Sequence, residues 1–398
     1  MNDAVPAACP LHSGRDDRKS AAIAARNTRP EPGAKIVRSF PFARELLRSP
    51  HVRQAGAGAE HVVVDNPEHV SFFFLDGDLH RKRRAAVAGF FAPKTIVSRY
   101  LPVMQQTMDS LIAQLQAQGS APLDELSFQM AVDIASIILG LTERDNRALA
   151  GRLRRMLTFD GMQQRGKISQ WWHNVVMAWR AWSLIRNDLA PAVRARKAAP
   201  KDDVVSYMVK EGYSTKAMLI ECMTYGTAGM LTTREFIVMV AWHLFTNAEL
   251  KARFLAGNEE EQFAIIEEIL RLEPVAAMLH RRAAADMPDT AGGAVKEGEL
   301  FALDIRAVNT DEAITGPCPY QLDPDRAKRM KVIGSYLSFG DGNHRCPGSQ
   351  VALHETRVFL DRLLRVPGIR LAQEPKISWN DMLGSYELRG AIVACDPA

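Results

Sequence analysis

The residues best placed to do chemistry lie in one short run, Phe339-Gly340-Asp341-Gly342-Asn343-His344-Arg345-Cys346-Pro347-Gly348. Cys346 has no second ligand at a zinc-type spacing. The glycines allow tight turns and let the backbone approach a flat macrocycle closely. A helical run follows, so N–H groups of the loop and the helix start can stabilise a thiolate. The chemistry this suits is axial ligation of a haem iron, where a thiolate pushes electron density onto the metal and favours O–O cleavage.

Three other constellations add to it. In Asp76 to Arg84, His80 and Arg84 stand at i,i+4, two donors on one helical face that suit a pair of carboxylates such as propionates. Arg81, Lys82 and Arg83 read as a solvated basic patch able to dock an acidic partner. Glu268 and Arg271 are three apart on one helical face. With Arg326 of Asp323-Pro324-Asp325-Arg326, a buried Glu between two Arg would lock helix to loop and fix the cysteine's position. In Ala228-Gly229-Met230-Leu231-Thr232-Thr233, Gly229 lets something large approach the backbone. Thr232 can hydrogen-bond a carbonyl one turn back and open a local distortion where oxygen and water could sit.

Helices must position these groups. Apolar residues at helical spacing predict helices over Ile96 to Gln118, Leu126 to Leu141, Glu143 to Leu157, the tryptophan-rich Ser169 to Lys197, Glu259 to Leu272 and Gln350 to Arg365. Ser214 to Phe245 is apolar almost all round, as expected of a helix that crosses the interior. Strand signals are few and late: His280 to Ala284, Leu300 to Ile305, Ile369 to Ala372 and Ala391 to Ala394. The fold class is therefore mainly α with small β-sheets. Met1 to Pro32 reads as an irregular leader, and residues 33–398 as a single domain.

Composition excludes several classes. A net charge of +4 over 398 residues is too weak to argue for nucleic acid. No apolar run reaches membrane-span length, so no membrane anchor is expected, and the N-terminus lacks a signal-peptide core. Five scattered cysteines give no disulfide framework, which fits a reducing, cytoplasmic setting.

Taken together, the Phe339–Gly348 loop, the Glu268/Arg271 pair, Asp323–Arg326, His80/Arg84 and Ala228–Thr233 resemble the cytochrome P-450 family of haem-thiolate monooxygenases, in the right order from Asp76 to Cys395. The resemblance implies a triangular-prism fold holding haem b (iron protoporphyrin IX) between the central helix and the cysteine loop. Cys346 is then the axial thiolate ligand. His80, Arg84, His344 and one of Arg281 and Arg282, with Arg281 preferred, are the propionate partners; Phe339, Gly340 and Gly348 belong to the haem-binding loop. Glu268, Arg271 and Arg326 form the structural network. Gly229, Thr232 and Thr233 are the distal catalytic positions. The implied reaction inserts one atom of dioxygen into a C–H bond of a substrate.

Two positions depart from the family pattern. Leu231 stands where Asp or Glu usually precedes the threonine, so proton delivery must come from the threonines, water or the substrate. A peroxide-driven or non-monooxygenase haem-thiolate enzyme is the alternative that this leucine supports. Ala327 stands where Phe often follows the arginine, which should loosen local packing. The expected substrate is a medium-sized apolar molecule of terpenoid, steroid or polyketide type. Its pocket would draw on Val70–Leu75, Leu157–Met162, Tyr225–Leu231, Val275–Leu279, Met382 and Leu383–Tyr386, with Phe74, Tyr225, Met230, Leu231, Val275, Met278 and Ser385 as the named candidates. The sequence holds no flavin or nicotinamide region, so electrons should come from a ferredoxin and its ferredoxin reductase. Arg81, Lys82, Arg83, Arg345 and Arg357 are the candidate docking cations, and a monomer is expected.

Overall fold

The computed structural model describes residues 16–56, 66, 69–157, 167–381 and 384–396. Its axis is a central segment in three parts: a helix over Thr215–Tyr225, a wide π turn over Gly226–Leu231 and a helix over Thr232–Thr246. Ser214 caps the start, its Oγ accepting from Ala217 N at 3.2 Å. Phe236 to Ala241 are all buried, which the all-round apolar pattern requires. The segment packs between the helices Leu123–Leu139 and Ser349–Leu364, and the helix Leu101–Gln118 lies against both of these. Together they form the main core cluster.

The sheets are small and peripheral. Strands β1 (Lys35–Val37), β2 (Val52–Ala55), β3 (Ser120–Pro122), β4 (Met278–Ala283), β5 (Leu300–Asp304), β6 (Arg370–Gln373), β7 (Lys376–Asn380), β8 (Ser385–Arg389) and β9 (Ile392–Ala394) make three sheets, ordered β1-β5-β4-β2, β3-β9-β6 and β7-β8. A second, smaller core sits under the first sheet, around Phe40, Phe42, Leu46, Phe301 and Leu337.

Helix Glu259–Leu272 has the bounds the sequence predicts. Asn258 caps it, and Glu259, Glu260 and Glu261 occupy its first turn, where the helix dipole favours carboxylates. Two expectations need correction. The described part of the leader is not irregular: Ala21–Asn27 is helical, as its alanines favour, and Ser20 is buried against Glu273 and Arg306. Nor are the thiols all free: Cys318 is disulfide-bonded, while Cys222, Cys346 and Cys395 are free.

Candidate active site

Cys346 closes a loop with little conformational freedom. Gly340 and Gly342 take φ of 68° and 63°, and a Cβ on Gly342 would collide with the Leu47 carbonyl. Cys346 N donates to Phe339 O at 2.8 Å. Burial pushes the thiol pKa up; the N–H groups of Gly348 and Ser349, with Arg84 and Arg345, pull the other way.

The loop is tied to the core through a buried network. Arg271 Nε and Nη2 donate to Glu268 Oε2 and Oε1 at 2.7 and 2.8 Å, and Arg326 Nε reaches Oε1 at 3.4 Å. The other donors of the two arginines go to the carbonyls of Asn309, Pro319 and Gln321, and of Thr315, Pro317, Cys318 and Gln321. Asn309 carries the tie onward: its Oδ1 accepts from Leu337 N at 3.0 Å and its Nδ2 donates to Ser338 Oγ at 2.8 Å. Phe339 follows directly. Asn309 and Ser338 were not legible in the sequence, since nothing local marks a bond across 29 residues.

Facing the loop, the central segment opens. The Thr232 hydroxyl donates to Ala228 O at 2.6 Å, within the π turn. Ala228 and Gly229 are exposed although the segment crosses the interior, and a Cβ on Gly229 would meet nothing within 4 Å. A cavity there is lined by Phe91, Tyr225, Gly229 and Thr233, and by Gly348 and Glu355 from the cysteine side.

Donors gather at one edge. His80 is buried, its Nε2 lacks a partner, and its ring lies 4.2 Å from that of His344. Burial, then the neighbouring His344 and Arg84, lower its pKa to about 4. His344 Nε2 lies 3.0 Å from Asp76 Oδ1. Arg84 Nη2 donates to Arg345 O at 2.6 Å. Arg281 is buried near Asp76, and burial lowers its pKa to about 10. Arg282, one residue on, faces the other side of β4 and is less buried, as strand alternation dictates.

Other sites fall elsewhere. Met230, Leu231, Val275 and Ser385 are all buried; for Met230 and Leu231 that follows from a helix apolar on all sides, while Ser385 begins β8. Tyr225 does line the cavity, and Phe74 and Met278 are half-buried. Leu157–Met162, Met382 and Leu383 fall outside what the structure describes of side chains. Arg83 is not a surface cation: it is buried and donates to Tyr207 Oη at 2.8 Å. Glu235 is fully buried, holding Arg234, Arg389 and Leu388 N, and so belongs to β8 and not to the cavity. Two carboxyls escaped the sequence reading. Glu221 Oε2 and Glu355 Oε2 are buried without partners, as is the Tyr225 hydroxyl. The available signal was the spacing Glu221, Tyr225, Gly229, Thr233 along one helix.

Comparison with known proteins bears directly on this arrangement. The Cytochrome P450 family pattern matches residues 263–373, which hold Glu268, Arg271, Arg326 and the Cys346 loop. The relatives agree. The biotin biosynthesis cytochrome P450 of Bacillus subtilis is 27% identical over 300 residues, covering 74% of this chain and 72% of its own. The chain belongs to the cytochrome P450 family. Pentalenic acid synthase of Streptomyces avermitilis is 26% identical over 84% of this chain and 76% of its own. The fold agrees with that of substrate-free CYP109E1 from Bacillus megaterium, with TM-score 0.76, 19% identity, and coverage of 93% of this chain and 95% of that one.

This P450 is an oxidoreductase that binds protoporphyrin IX haem through a cysteine thiolate. Its residues fit the group. An open space lies beside Gly229, the unpartnered His80 Nε2 and buried Arg281 are donors suited to carboxylates, and Cys346 is partly accessible though deep in the protein. Among the described residues no helix is long and apolar enough to cross a membrane.

Proposed function

We propose that the Cys346 thiolate would hold the haem iron and that the chain is a monooxygenase hydroxylating a medium-sized apolar molecule of terpenoid, steroid or polyketide type. Residues 33–398 form its haem domain. The open backbone at Ala228–Gly229, aligned in the same cavity system as the Cys346 loop, supports this reading most. When bound, the haem supplies dioxygen activation and C–H oxidation. The chain's own work is distinct. Cys346 holds the metal, with Gly348 and Ser349 N–H groups stabilising the sulfur's charge. Phe339, Gly340 and Gly348 shape the loop around it. His80, Arg84, Arg281 and His344 hold the propionates. Gly229 would leave room for the bound group, Thr232 keeps the π turn open and Thr233 presents a hydroxyl to the cavity. Phe91 and the ring of Tyr225 contribute an apolar wall that excludes water.

Electrons come from a ferredoxin and its reductase, drawn by exposed Arg81 and Lys82 and by Arg345. Arg357 pairs with Glu259 and offers less.

The reduced, carbon-monoxide-bound spectrum tests the ligand. The wild type should show the strongly red-shifted Soret band of thiolate ligation, and Cys346→Ser should lose it; retention of that band in the variant would overturn the assignment. A compound screen for the low-to-high-spin shift then finds the substrate.

A peroxide-driven reaction is the second reading, and one observation favours it. Leu231 is buried and Glu235 is committed to Arg389, so neither neighbour on the helix supplies an acid beside Thr232. Turnover with hydrogen peroxide and no redox partner, at a rate matching the ferredoxin-driven one, would select it.

A further inference from the structure

The helix Lys167–Leu184 has its amphipathicity turned outward. Trp171, Val175, Trp179 and Trp182 follow at steps of four, four and three residues and share a face, with Trp172 and Val176 beside them. The four indoles are 58%, 58%, 52% and, for Trp172, 55% exposed. These six residues make up six of the ten exposed large apolar side chains among the described residues. The exposure is concentrated, not scattered. At about 150–250 Å² per indole, the four tryptophans alone present roughly 400 Å², within the range where a patch on a monomer is often functional.

The sequence around it is predominantly cationic, with Arg152 and Arg154 paired to Asp188 and Glu125. From Asn146 to Leu189 the sequence carries eight Lys or Arg against two Asp, a net +6 in a chain whose total is +4. The rest of the chain is therefore net −2. One of the two acids, Asp188, is buried and held by Arg152 at 2.6 Å. Arg186 is exposed, its guanidinium 5.2 Å from the Trp182 ring, and Arg155 is exposed on the neighbouring helix.

We infer that this face is a peripheral docking surface for an anionic lipid bilayer, with the indoles at headgroup depth and the arginines against lipid phosphates. Indoles suit a boundary that is apolar on one side and wet on the other. A helix with aromatics on one side and cations at its rim lies in that plane without spanning it. A second copy of the chain fits less well, because a two-fold contact would set this strongly basic segment against itself. An acidic protein would satisfy the arginines but leave the indoles without an apolar bed. The inference goes beyond the proposed reaction and does not depend on the substrate's identity.

Sedimentation of the holoenzyme with phosphatidylcholine vesicles, with and without phosphatidylglycerol, tests it. The anionic vesicles should bind at least about tenfold more protein, less so as salt rises. Indole fluorescence should shift to the blue on binding and be quenched by brominated lipid, a readout that needs no variant. Trp171→Ser with Trp179→Ser should lower binding about tenfold, at unchanged carbon-monoxide spectrum and melting temperature; Arg186→Gln should reduce the salt dependence. Failure of the folded wild type to bind anionic vesicles would overturn the inference. So would equal binding by the double tryptophan variant, or a dimer in light scattering that this variant disperses.

Discussion

The two sides of the haem cavity are built on opposite principles. On the cysteine side the network behind the loop is closed: Glu268 holds two arginines, both arginines hold loop carbonyls, and Asn309 carries the constraint to Leu337 and Ser338. On the central-segment side groups are left open. Glu221 and Tyr225 keep buried oxygens unpartnered, and a Cβ on Gly229 would meet nothing within 4 Å; across the cavity, Glu355 is the one lining carboxyl of the other wall left in the same state. A ligand that must sit in one place calls for an over-determined scaffold. A face that must admit dioxygen, water and a substrate gains from slack, and its unsatisfied groups are the cost of it.

The largest effect should come from breaking the engaged side. Arg271→Ala leaves Glu268 buried with only the Asp323 N–H at 3.0 Å and the longer Arg326 contact at 3.4 Å, and strands the carbonyls of Asn309 and Pro319. Loss of one partner of a buried pair costs about 3–5 kcal/mol. The variant should lose that much by denaturant unfolding and yield little protein with bound haem. A variant that melts with the wild type would show that the engaged side is not the stiff one.

This contrast also explains what the sequence made legible. The Cys346 loop is local: its glycines, its cysteine and the following helix lie within a dozen residues, so spacing alone identified it. Helix Glu259–Leu272 was equally plain, with an asparagine cap, three acids and a terminal proline. The long central segment was seen, and its Thr232 hydrogen bond anticipated, because both are helix-periodic facts. What escaped was tertiary. Asn309 and Ser338 are unremarkable until the fold joins them. The β7–β8 hairpin is an exception: Lys376-Ile377-Ser378-Trp379-Asn380 and Ser385-Tyr386-Glu387-Leu388-Arg389 both alternate polar and apolar residues, a local signal that runs of five residues carry only weakly. The tryptophans of the Lys167–Leu184 helix were conspicuous, yet periodicity cannot say which face meets solvent. Pocket residues carry no local mark either, since an all-apolar helix gives Met230 and Leu231 no label for core or cavity.

An intermediate effect, of opposite sign, is expected on the open side. Burial raises the Glu221 pKa from 4.5 to about 7, against the pull of Ser71 and Arg83. The folded state then binds more protons than the unfolded one between those values, so stability falls as pH rises from about 4.5 to 7 and levels off above. Glu221→Gln removes that penalty. It should stabilise the protein by about 3 kcal/mol at pH 8 and by under about 1 kcal/mol at pH 5. Melting temperatures across that range should diverge with rising pH. Parallel curves would mean that Glu221 already has a partner, and that this side is less slack than described.

The smallest effect should sharpen the comparison within the π turn itself. Thr232 Oγ1 donates to Ala228 O at 2.6 Å, a carbonyl within the wide turn. Thr232→Val keeps the shape and removes the donor, which costs about 1 kcal/mol for one lost hydrogen bond. Thr232→Ser restores the donor and should recover most of that loss. If the hydroxyl only satisfies the carbonyl, both variants should leave the coupling of reductant use to product unchanged. If the turn's opening is what admits water beside Gly229, valine should lower coupling while serine preserves it. Thr233→Val supplies the counterpart, since its side chain lines the cavity. A coupling loss confined to Thr233→Val would move the functional hydroxyl one residue along the helix and leave Thr232 as the strut that holds the distal side open.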